Sequence, residues 1–392
     1  MLILIANLGS TSFKYRLYKI DGKDESVITS GGFERVTDYA EVINQALSDL
    51  VDQGHLNAIS DIDAVGFKTV LGRNLSGCVE ADDSVIAALE GFREVAPAHN
   101  PPYAEGIRQF QQILPDARLV ALFETAFYQW VPEAATRYAI PQAWYDAGIQ
   151  RYGFHGASHK YVAERSAELM GRDDVAETVR HLYTHGPQEI SGDPLRVISF
   201  HLGGSSSVTG IRNGIAVGTS MGFSPQSGLP QNNRVGDLDS GALPYAVKAL
   251  GITMEEAERQ LTKESGLQGV SGVSNDLRDI HQAASNGNPD ARLALDMLVQ
   301  SARKWAASFL FDLGGLDSLV FTAGIGENNP WLRAAICAGL EEFGVAIDKE
   351  KNNACQATEA VISTDSSKVK VLVIPANEEL VLVREVYRKA NA

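Results

Sequence analysis

Cysteine is scarce in this chain of 392 residues. Cys78, Cys337 and Cys355 are odd in number, lie far apart and form no Cys-x-x-Cys pair. A disulfide framework is therefore excluded, because such frameworks use an even set of cysteines at short spacings. This sparse usage is typical of proteins from a reducing compartment.

Long apolar runs are absent too. No stretch of the sequence approaches the roughly 20 apolar residues that a helix needs to cross a bilayer. The apolar residues 2–6 (LILIA) follow no basic segment and are too few for a secretory signal, so they predict a strand instead. Together with the cysteine usage, these features predict a cytoplasmic protein that has no membrane partner.

Positive charge is in deficit. Lys and Arg number 34 against 49 Asp and Glu, which gives a formal net charge of −15. Such a chain is not expected to bind nucleic acid or an anionic membrane over a wide surface, although a local basic pocket for a small anion is compatible with it. Hydrophobic residues make up 44% of the chain, and its length suffices for two domains with large cores.

The sequence opens with a distinctive hairpin pattern. Residues 2–6 predict a buried strand, residues 13–20 alternate with period two and predict a second strand, and Asp21-Gly22 is a strong turn signal. Between the strands lie residues 7–12 (NLGSTS), with Lys14 just inside the second strand. Backbone N–H groups, hydroxyls and an ammonium group can together bind an anion, although an ordinary polar turn has the same composition.

The same pattern recurs in the second half of the chain. Residues 196–200 (RVISF) predict a strand, residues 201–207 (HLGGSSS) a second tip, residues 208–212 a returning strand, and Asn213-Gly214 a hairpin turn. A duplicated phosphate-binding hairpin, one in each domain with the nucleotide between them, is typical of the superfamily of actin-like sugar kinases and Hsp70. The repeat therefore favours phosphate binding over two unrelated turns.

Further candidate residues follow predicted strands. One apolar strand ends directly before Glu124, another leads into a glycine turn at residues 323–328 (AGIGEN), and the last strand, 368–374, comes just before Glu378. Strands that alternate with helices predict an α/β fold, in which ligands gather at strand ends and at the N-termini of helices.

The middle of the chain gives weaker signals. Ser158 is the expected N-cap of a helix at residues 161–170, and the polar residues 172–193 predict a surface connection. Residues 218–239 are dense in Gly, Ser, Pro and Asn and contain a single basic residue, Arg234. A loop of that length within a compact enzyme is usually functional.

These segments together resemble the acetokinase family, which includes acetate, propionate and butyrate kinases. The resemblance runs nearly end to end, and its most specific motifs are RYGFHGASH at residues 151–159, GIGEN at 324–328 and IPANEEL at 374–380. The other matching segments are residues 7–14, 99–101, 123–127, 201–205, 219–223, 234–239, 269–279 and 321–323.

The resemblance implies an α/β fold of two actin-like (ribonuclease H-like) domains with the active site in the cleft between them. Residues 1–125 with 377–392 would form the N-terminal domain, and residues 126–376 the domain for nucleotide binding and dimerisation. The implied reaction is reversible transfer of the ATP γ-phosphoryl group to acetate or a similar short acid, which gives ADP and an acyl phosphate. ATP or ADP, Mg²⁺ (or Mn²⁺) and a homodimer are implied as well.

The resemblance also implies a role for individual residues. Asn7 and Glu378 would bind Mg²⁺. The catalytic residues would be Lys68, Glu124, His155 and Arg234, the last two as stabilisers of the transferring group. The residues facing the phosphates would be Ser10, Ser12 and Lys14, and those surrounding ADP would be His201, Leu202, Gly203, Gly204, Ser205, Asp276, Leu277, Arg278, Gly324, Ile325, Gly326, Glu327 and Asn328. The acyl pocket would be formed by Lys68, Val70, Ala98, Phe154 and Pro225.

The sequence departs from the family at several of these places. Lys68 replaces the arginine of the family's HRVVHGG motif, and a lysine keeps the charge but lacks the fork that clamps a carboxylate. Glu124 replaces the aspartate of FDTAF, and its longer side chain could compensate for the shorter lysine. Gly204 replaces the asparagine of HLGNG, and residues 231–235 are QNNRV where the family has MGTRS.

The acceptor is less defined than the phosphate donor. Ala98 stands where the family usually has leucine, which predicts a larger acyl pocket. Each buried methylene is worth roughly 0.8 kcal/mol, so propionate or another larger carboxylate is an alternative to acetate. A catalytically weak paralogue that binds nucleotide as a regulatory dimer is the alternative from another class, but the implied metal and phosphate ligands are all present. The glycine turn at residues 324–326 disfavours a pyrophosphate-dependent variant.

Overall fold

The computed structural model describes residues 1–22, 24–97 and 99–392, which form two compact units. The first unit contains Met1–Gln129, His181–Gly186 and Asn377–Ala392, and the second contains Trp130–Arg180 and Pro187–Ala376. The expected domain boundaries after residues 125 and 376 stay a prediction. The first unit also contains residues 126–129 and 181–186.

The first unit is built on a mixed sheet of six strands in the order β3-β2-β1-β4-β6-β5. Strands β1 to β3 form an antiparallel meander, β4 and β6 run parallel to β1, and β5 runs antiparallel to β6. Their bounds are β1 Leu2–Leu8, β2 Ser12–Asp21, β3 Asp24–Glu34, β4 Ala64–Thr69, β5 Cys78–Glu80 and β6 Arg118–Phe123.

The second unit repeats this topology strand for strand, in the order β9-β8-β7-β10-β12-β11. Its meander, its two parallel strands and its antiparallel edge strand correspond to those of the first sheet. The bounds are β7 Arg196–Leu202, β8 Ser206–Arg212, β9 Ile215–Thr219, β10 Ser318–Thr322, β11 Ala360–Val361 and β12 Lys370–Val373. The predicted duplication of the opening hairpin thus extends to the whole sheet, and the α/β class is confirmed.

Helices surround both sheets. In chain order they are α1 Tyr39–Asp52, α2 Asp83–Gly91, α3 Asn100–Ile113, α4 Glu133–Thr136, α5 Gln142–Asp146, α6 Gly156–Leu169, α7 Asp173–Arg180, α8 Leu182–His185, α9 Ala242–Leu250, α10 Met254–Lys263, α11 Gly266–Ser271, α12 Leu277–Ser285, α13 Pro289–Leu313, α14 Ala323–Asn328, α15 Pro330–Cys337, α16 Lys349–Ala354 and α17 Glu378–Ala390. Single 3₁₀ turns lie at Ile59–Asp61, Ala126–Tyr128 and Glu341–Phe343. Among the residues described, no helix combines the length and the apolar character that a membrane crossing requires.

The last helix completes the core of the first unit. Helix α17 packs on strands β1, β4 and β6, and its Val381, Leu382 and Val386 are buried. It approaches β4 so closely that a Cβ atom at Gly66 would lie 2.7 Å from Val386. This close packing places the first residue of the helix, Glu378, at the carboxyl ends of the parallel strands.

The core of the second unit depends on aromatic packing beside glycines. Phe200 and Phe321, on the neighbouring strands β7 and β10, stack with ring centroids 5.0 Å apart. Phe309 of α13 lies against β8 and β9, where Cβ atoms at Gly210 and Gly218 would come within 2.9 and 3.0 Å of its ring. The two glycines therefore give the long helix α13 room to lie on the sheet.

Three local predictions are wrong. Residues 173–185 are not a surface connection but helices α7 and α8, because Val175, Val179 and neighbouring apolar side chains form a buried stripe. Helix α6 begins at Gly156, so His155 is its N-cap and Ser158 lies within its first turn. The expected glycine turn at residues 323–328 is the short helix α14.

Candidate active site

Three parallel strands of the first unit end at one edge of its sheet. Ala6 of β1 pairs with Phe67 of β4, which places Asn7 beside Lys68, and Lys68 pairs in turn with Leu122 of β6. The N–H group of Glu124 then donates to the carbonyl of Thr69 over 2.9 Å. Asn7, Lys68 and Glu124 therefore gather where ligands of parallel sheets usually bind.

Lys68 bridges two carboxylates at this edge. Its Nζ lies 2.7 Å from Glu124 Oε1 and also contacts Glu378 Oε2. The three side chains are only 27%, 12% and 23% exposed, so solvent screens their charges weakly. Burial lowers the pKa of Lys68, but the two carboxylates outweigh it and raise that pKa above its ordinary value. The two residues named above as compensating departures are thus direct partners.

Asn7 is held by a tyrosine that the sequence motifs did not single out. The hydroxyl of Tyr103, on α3, donates to Asn7 Oδ1 over 2.9 Å. Burial is the main reason why the pKa of Tyr103 is raised, and the charge of Lys68 works in the opposite direction. Tyr103 therefore keeps its proton, fixes the Asn7 amide and lies in the field of Lys68. Its signal in the sequence is its position two residues after the motif at residues 99–101.

The first hairpin tip is a tight turn. Gly9 N–H donates to the Ser12 carbonyl over 2.8 Å, and a Cβ atom at Gly9 would lie 2.6 Å from Ser12 Oγ. Ser10 is exposed and Ser12 is half-buried. Lys14 pairs with Glu34 at 3.2 Å, with both side chains more than half exposed, so this pair adds little stability and leaves the ammonium accessible.

The second unit presents its parallel strand ends in the same way. Thr322 of β10 pairs with His201 of β7, and Phe321 pairs with Val373 of β12. His201 and the second tip therefore share one edge with the start of α14 and with the segment after β12. This is the counterpart of the edge that carries Asn7 and Glu124 in the first unit.

A cluster of three histidines lies at this edge. The rings of His155 and His201 stack with centroids 4.0 Å apart, and Ser158 Oγ contacts His201 Nδ1 at 2.8 Å. Ser207 Oγ lies 2.8 Å from both His155 Nδ1 and His159 Nε2. His159 is fully buried, and burial, with a smaller contribution from His201, lowers its pKa well below the usual range. His159 is therefore neutral at pH 7.

His155 has a strained backbone. Its φ is +89°, a left-handed conformation that a side chain with a Cβ rarely adopts. Such strain is usually found at functional sites, where the surrounding contacts hold it. Here the conformation lets His155 end an extended segment and begin α6 in one step, so that its ring stacks on His201 instead of extending along the helix.

Arg234 lies on the second tip. Its Nη1 donates to Ser205 Oγ over 3.2 Å, and Ser205 Oγ in turn donates to the buried Gln231 Oε1 over 2.7 Å. Asn232 N–H donates to the Gly204 carbonyl over 3.3 Å. Burial lowers the pKa of Arg234, as expected for a guanidinium that is partly removed from water. The long loop therefore places Arg234 at the second tip. This position is compatible with the function that its length and composition predict.

Helix α14 is anchored from inside the protein. Asn328 Nδ2 donates to the Gly324 carbonyl over 2.9 Å, and Glu327 Oε1 accepts from Ala376 N–H at 2.8 Å. The fully buried Arg333 donates to the Gly326 and Glu327 carbonyls at 2.9 and 2.7 Å. Arg333 satisfies carbonyl groups at the end of the helix, which explains why a segment with two glycines is helical.

The other expected nucleotide contacts differ in exposure. Leu202 and Leu277 are core residues, so only their backbone could face a ligand, and Ile325 is partly buried against the same core. Asp276 caps α12 by accepting from Arg278 N–H at 2.9 Å, and its side chain pairs with the exposed guanidinium of Arg278. Hydrogen bonds from Arg278 lower the pKa of Asp276 to about 2.

The residues expected to form the acyl pocket belong to both units. Val70, in the first unit, is half-buried, while Phe154 is buried and Pro225 is half-buried in the second unit. Ala98 lies outside the described residues. The pocket that these residues would form together stays a prediction.

The donor set for a metal ion is small. Within the described ranges, no three or more His, Cys, Asp or Glu side chains are grouped as a metal site. Asn7 and Glu378 offer an amide and a carboxylate oxygen, which suit Mg²⁺, an ion that usually takes one or two protein ligands and completes its shell with water and phosphate. The two residues therefore fit Mg²⁺ in chemistry, provided that phosphate supplies further ligands.

Comparisons with known proteins agree with the resemblance in sequence. The model of the acetokinase family matches residues 31–384. The acetate kinase of Geobacillus kaustophilus is 39% identical with 99% of each chain covered, and the propionate kinase of Citrobacter rodentium is 39% identical with 100% of this chain and 97% of that one covered. The crystal structure of Porphyromonas gingivalis acetate kinase has a TM-score of 0.87 at 34% identity, with 99% of each chain covered. The two-domain actin-like fold is thereby confirmed.

The buried His159 predicts a particular pH dependence of stability. An unfolded histidine takes up a proton near pH 6.5, whereas folded His159 stays neutral to well below that value. The folded state binds fewer protons than the unfolded state. The neutral His159 therefore contributes fully to the free energy of unfolding above about pH 6.5, and this contribution is lost as the pH falls, by at most about 1.4 kcal/mol per pH unit. We expect the urea midpoint of unfolding to fall less for His159→Gln than for the parent chain between pH 7.5 and 5.5.

The control for this measurement is His55→Gln, at a partly exposed histidine of the first unit. It should retain the pH dependence of the parent chain. Equal slopes for His159→Gln and the parent chain would contradict the assignment of this titration to His159.

Proposed function

We propose that Lys68 and Glu124 act on the acceptor side of the reaction that this chain catalyses. The chain belongs to the acetokinase family and is therefore an ATP-dependent kinase of short-chain carboxylates. The contact that carries this proposal is the bridge from Lys68 to Glu124 and Glu378 at the strand ends of the first unit. An ammonium held between two carboxylates has a fixed position, and it can attract the carboxylate of a substrate without a forked guanidinium.

The transferring group would be stabilised by His155 and Arg234. Phosphoryl transfer is loose and needs in-line positioning and stabilisation of charge on the equatorial oxygens more than covalent help. Arg234 is held by Ser205 and Gln231, and His155 is held by Ser207 and by its stack on His201. Both groups are thus positioned before substrate arrives, which is the condition for effective electrostatic catalysis.

The nucleotide would be bound by the second unit. The backbone of residues 203–205 forms the second tip. Among the described residues, no atom beyond the helix itself and the chain neighbours lies within 4 Å of a Cβ position at Gly324, so a ligand can approach the start of α14 closely. The exposed Arg278 and its partner Asp276 would lie near the adenosine. Ser10, Ser12 and Lys14 of the first tip would act on the phosphates, with the Lys14 ammonium accessible for that role.

Mg²⁺ would be held by Asn7 and Glu378, with phosphate oxygens and water as its remaining ligands. When bound, the ion would neutralise charge on the nucleotide phosphates and orient them. Tyr103 fixes Asn7, and Lys68 fixes Glu378, so both oxygen donors are oriented by neighbours. Lys68 also competes for Glu378, so metal binding should require the Lys68 contact to shift toward Glu124.

The acceptor would be acetate, propionate or another small acid, with an acyl phosphate as the product. The replacement of a family leucine by Ala98 is the feature that favours propionate or a longer chain over acetate. We also infer a cytoplasmic enzyme from the sparse cysteines. A regulatory paralogue without activity is disfavoured, because the site keeps organised partners for each proposed ligand.

We infer a homodimer from the exposed face of α13. Leu293, Met297 and Phe311 are 52%, 40% and 86% exposed, and their spacing places them on one side of the helix. Apolar side chains of this size on one face usually mark a surface for association. The proposal matches the dimer that the resemblance implies for the second domain.

The pairing of Lys68 with Glu124 is testable by a double-mutant cycle. A guanidinium is longer and flatter than an ammonium, so Lys68→Arg alone should lower kcat/KM roughly tenfold by disturbing the 2.7 Å contact. Adding Glu124→Asp should restore most of the loss, with a coupling of about 1 kcal/mol or more. Lys19→Arg, at an exposed site on β2, is the matched control. Losses that simply add would reject the pairing.

The acceptor and the metal can be tested together with hydroxylamine trapping of acyl phosphate. We expect product from ATP, Mg²⁺ and short acids, and none when EDTA replaces the metal. Propionate should exceed acetate in kcat/KM by about fourfold, the equivalent of one buried methylene. A clear preference for acetate would reject the larger pocket, and no product from any acid would instead support the regulatory paralogue.

The dimer face can be tested by light scattering. The parent chain should have twice the mass of one 42.2 kDa chain, and Leu293→Glu with Phe311→Glu should give the mass of one. Val27→Glu, at an exposed apolar residue of the first unit, should leave the mass unchanged. A monomeric parent chain, or a dimer that survives the double substitution, would contradict this proposal.

A further inference from the structure

A chain of hydrogen bonds leads from the core of the second unit to His155. Ser199 Oγ lies 2.9 Å from His159 Nδ1, His159 Nε2 lies 2.8 Å from Ser207 Oγ, and Ser207 Oγ lies 2.8 Å from His155 Nδ1. Ser199, His159 and Ser207 are fully buried, and His155 is partly exposed at the outer end. In the mechanism proposed above Ser207 holds His155, while Ser199 and His159 have no role.

The direction of these bonds follows from counting protons. Ser207 is buried and has one hydroxyl proton and two ring nitrogens as hydrogen-bond neighbours, so its proton finds an acceptor only if Ser207 donates to one nitrogen and accepts from the other. The two rings therefore cannot be assigned separately. Whichever nitrogen of His159 carries a proton decides which nitrogen of His155 does.

Ser199 decides between the two directions. Across the described residues its hydroxyl has one hydrogen-bond partner, His159 Nδ1. If His159 donated from Nδ1, the Ser199 proton would be buried without an acceptor, which is costly. If Ser199 donates to Nδ1, the buried protons of Ser199, His159 and Ser207 all have an acceptor. A doubly protonated His159 would leave the same orphan proton, and its lowered pKa agrees that the ring is neutral.

The remaining steps are fixed by that choice. His159 then carries its proton on Nε2 and donates to Ser207, and Ser207 donates to His155 Nδ1. His155 Nδ1 is occupied as an acceptor, so the proton of the neutral ring lies on Nε2. The stack on His201, with ring centroids 4.0 Å apart, also disfavours a positive charge on both rings at once.

We propose that Ser199, His159 and Ser207 form a directional hydrogen-bond chain that holds His155 as the neutral Nε2–H tautomer. Ser199, His159 and Ser207 are thus positioning residues, and His155 is a neutral hydrogen-bond donor toward the phosphoryl oxygens. This use of the tautomer rests on the role proposed for His155 in phosphoryl transfer. The tautomer itself follows from the bond network alone.

The direct test is a long-range ¹H–¹⁵N correlation spectrum of the full chain labelled with ¹⁵N-histidine, recorded at pH 7.5 without substrate. His155→Gln and His159→Gln assign the two rings among the eight histidines. We expect both rings as the Nε2–H tautomer. An Nδ1–H tautomer or an imidazolium at His155 would overturn the proposal. The tautomers are read from the unsubstituted protein, and the two variants serve only to assign its signals.

Substitution of Ser207 tests the consequence for catalysis. Ser207→Ala should give a mixture of His155 tautomers and lower kcat roughly tenfold or more, with KM for ATP and for the acid nearly unchanged. Ser207→Thr keeps the hydroxyl and should restore both the tautomer and kcat. A His155 tautomer that is unaffected by Ser207→Ala would overturn the chain.

The two proposals fail in distinguishable ways. If His155→Gln leaves kcat unchanged, the catalytic role of His155 is wrong, whereas the tautomer seen in the spectrum still reports on the chain. If kcat depends on His155 but the ring has the Nδ1–H tautomer, the catalytic role holds and the directional chain is wrong.

Discussion

One partly buried cation, Lys68, links two carboxylates at the strand ends of the first unit. Glu124 follows strand β6 and Glu378 begins the last helix, and their side chains meet at Lys68. Two carboxylates this close repel each other when little water is present, so neither position is stable as an ion without the ammonium. The start of α17 and the ends of β4 and β6 meet at this contact, and the charge of Lys68 also acts on Tyr103.

The two units share a sheet topology but present different chemistry at equivalent edges. In the first unit the strand ends carry an amide, an ammonium and carboxylates, a set suited to a metal ion and an acid. In the second unit they carry histidines, serines and a glycine-rich helix, a set suited to phosphates and a nucleoside. Under the proposed function, one sheet topology would serve the acceptor in the first unit and the nucleotide in the second, because the residues that follow the strands differ.

The fold could be predicted in large part because its signals are local. Both hairpins, the strand before Glu124 and the long helix α13 are visible as alternation, turn dipeptides and helical periodicity. The short helix α14 was missed because its stability comes from Arg333, which reaches its carbonyls from the following helix. Helices α7 and α8 were missed because a narrow buried stripe lies within a mostly polar segment.

Within the site, the sequence identified residues by motif but not their partners. It indicated that Lys68 and Glu124 could be linked, since both depart from one family pattern. It gave no sign of Tyr103 beneath Asn7 or of Ser207 between two histidines, because contacts between distant segments leave no spacing to recognise. Ser158 was assigned to the cap of α6 on local grounds, whereas its hydroxyl is engaged by His201.

The position of α17 has a consequence for biosynthesis. The ribosome releases the sheet of the first unit early, yet the helix that covers β1, β4 and β6 is made only after residues 130–376 have emerged. The nascent first unit therefore spends most of translation with an uncovered apolar face, while the second unit has all its strands available and can fold first. Proteases and chaperones meet the half-finished first unit during that interval, and loss of the last thirteen helical residues would leave that face uncovered permanently.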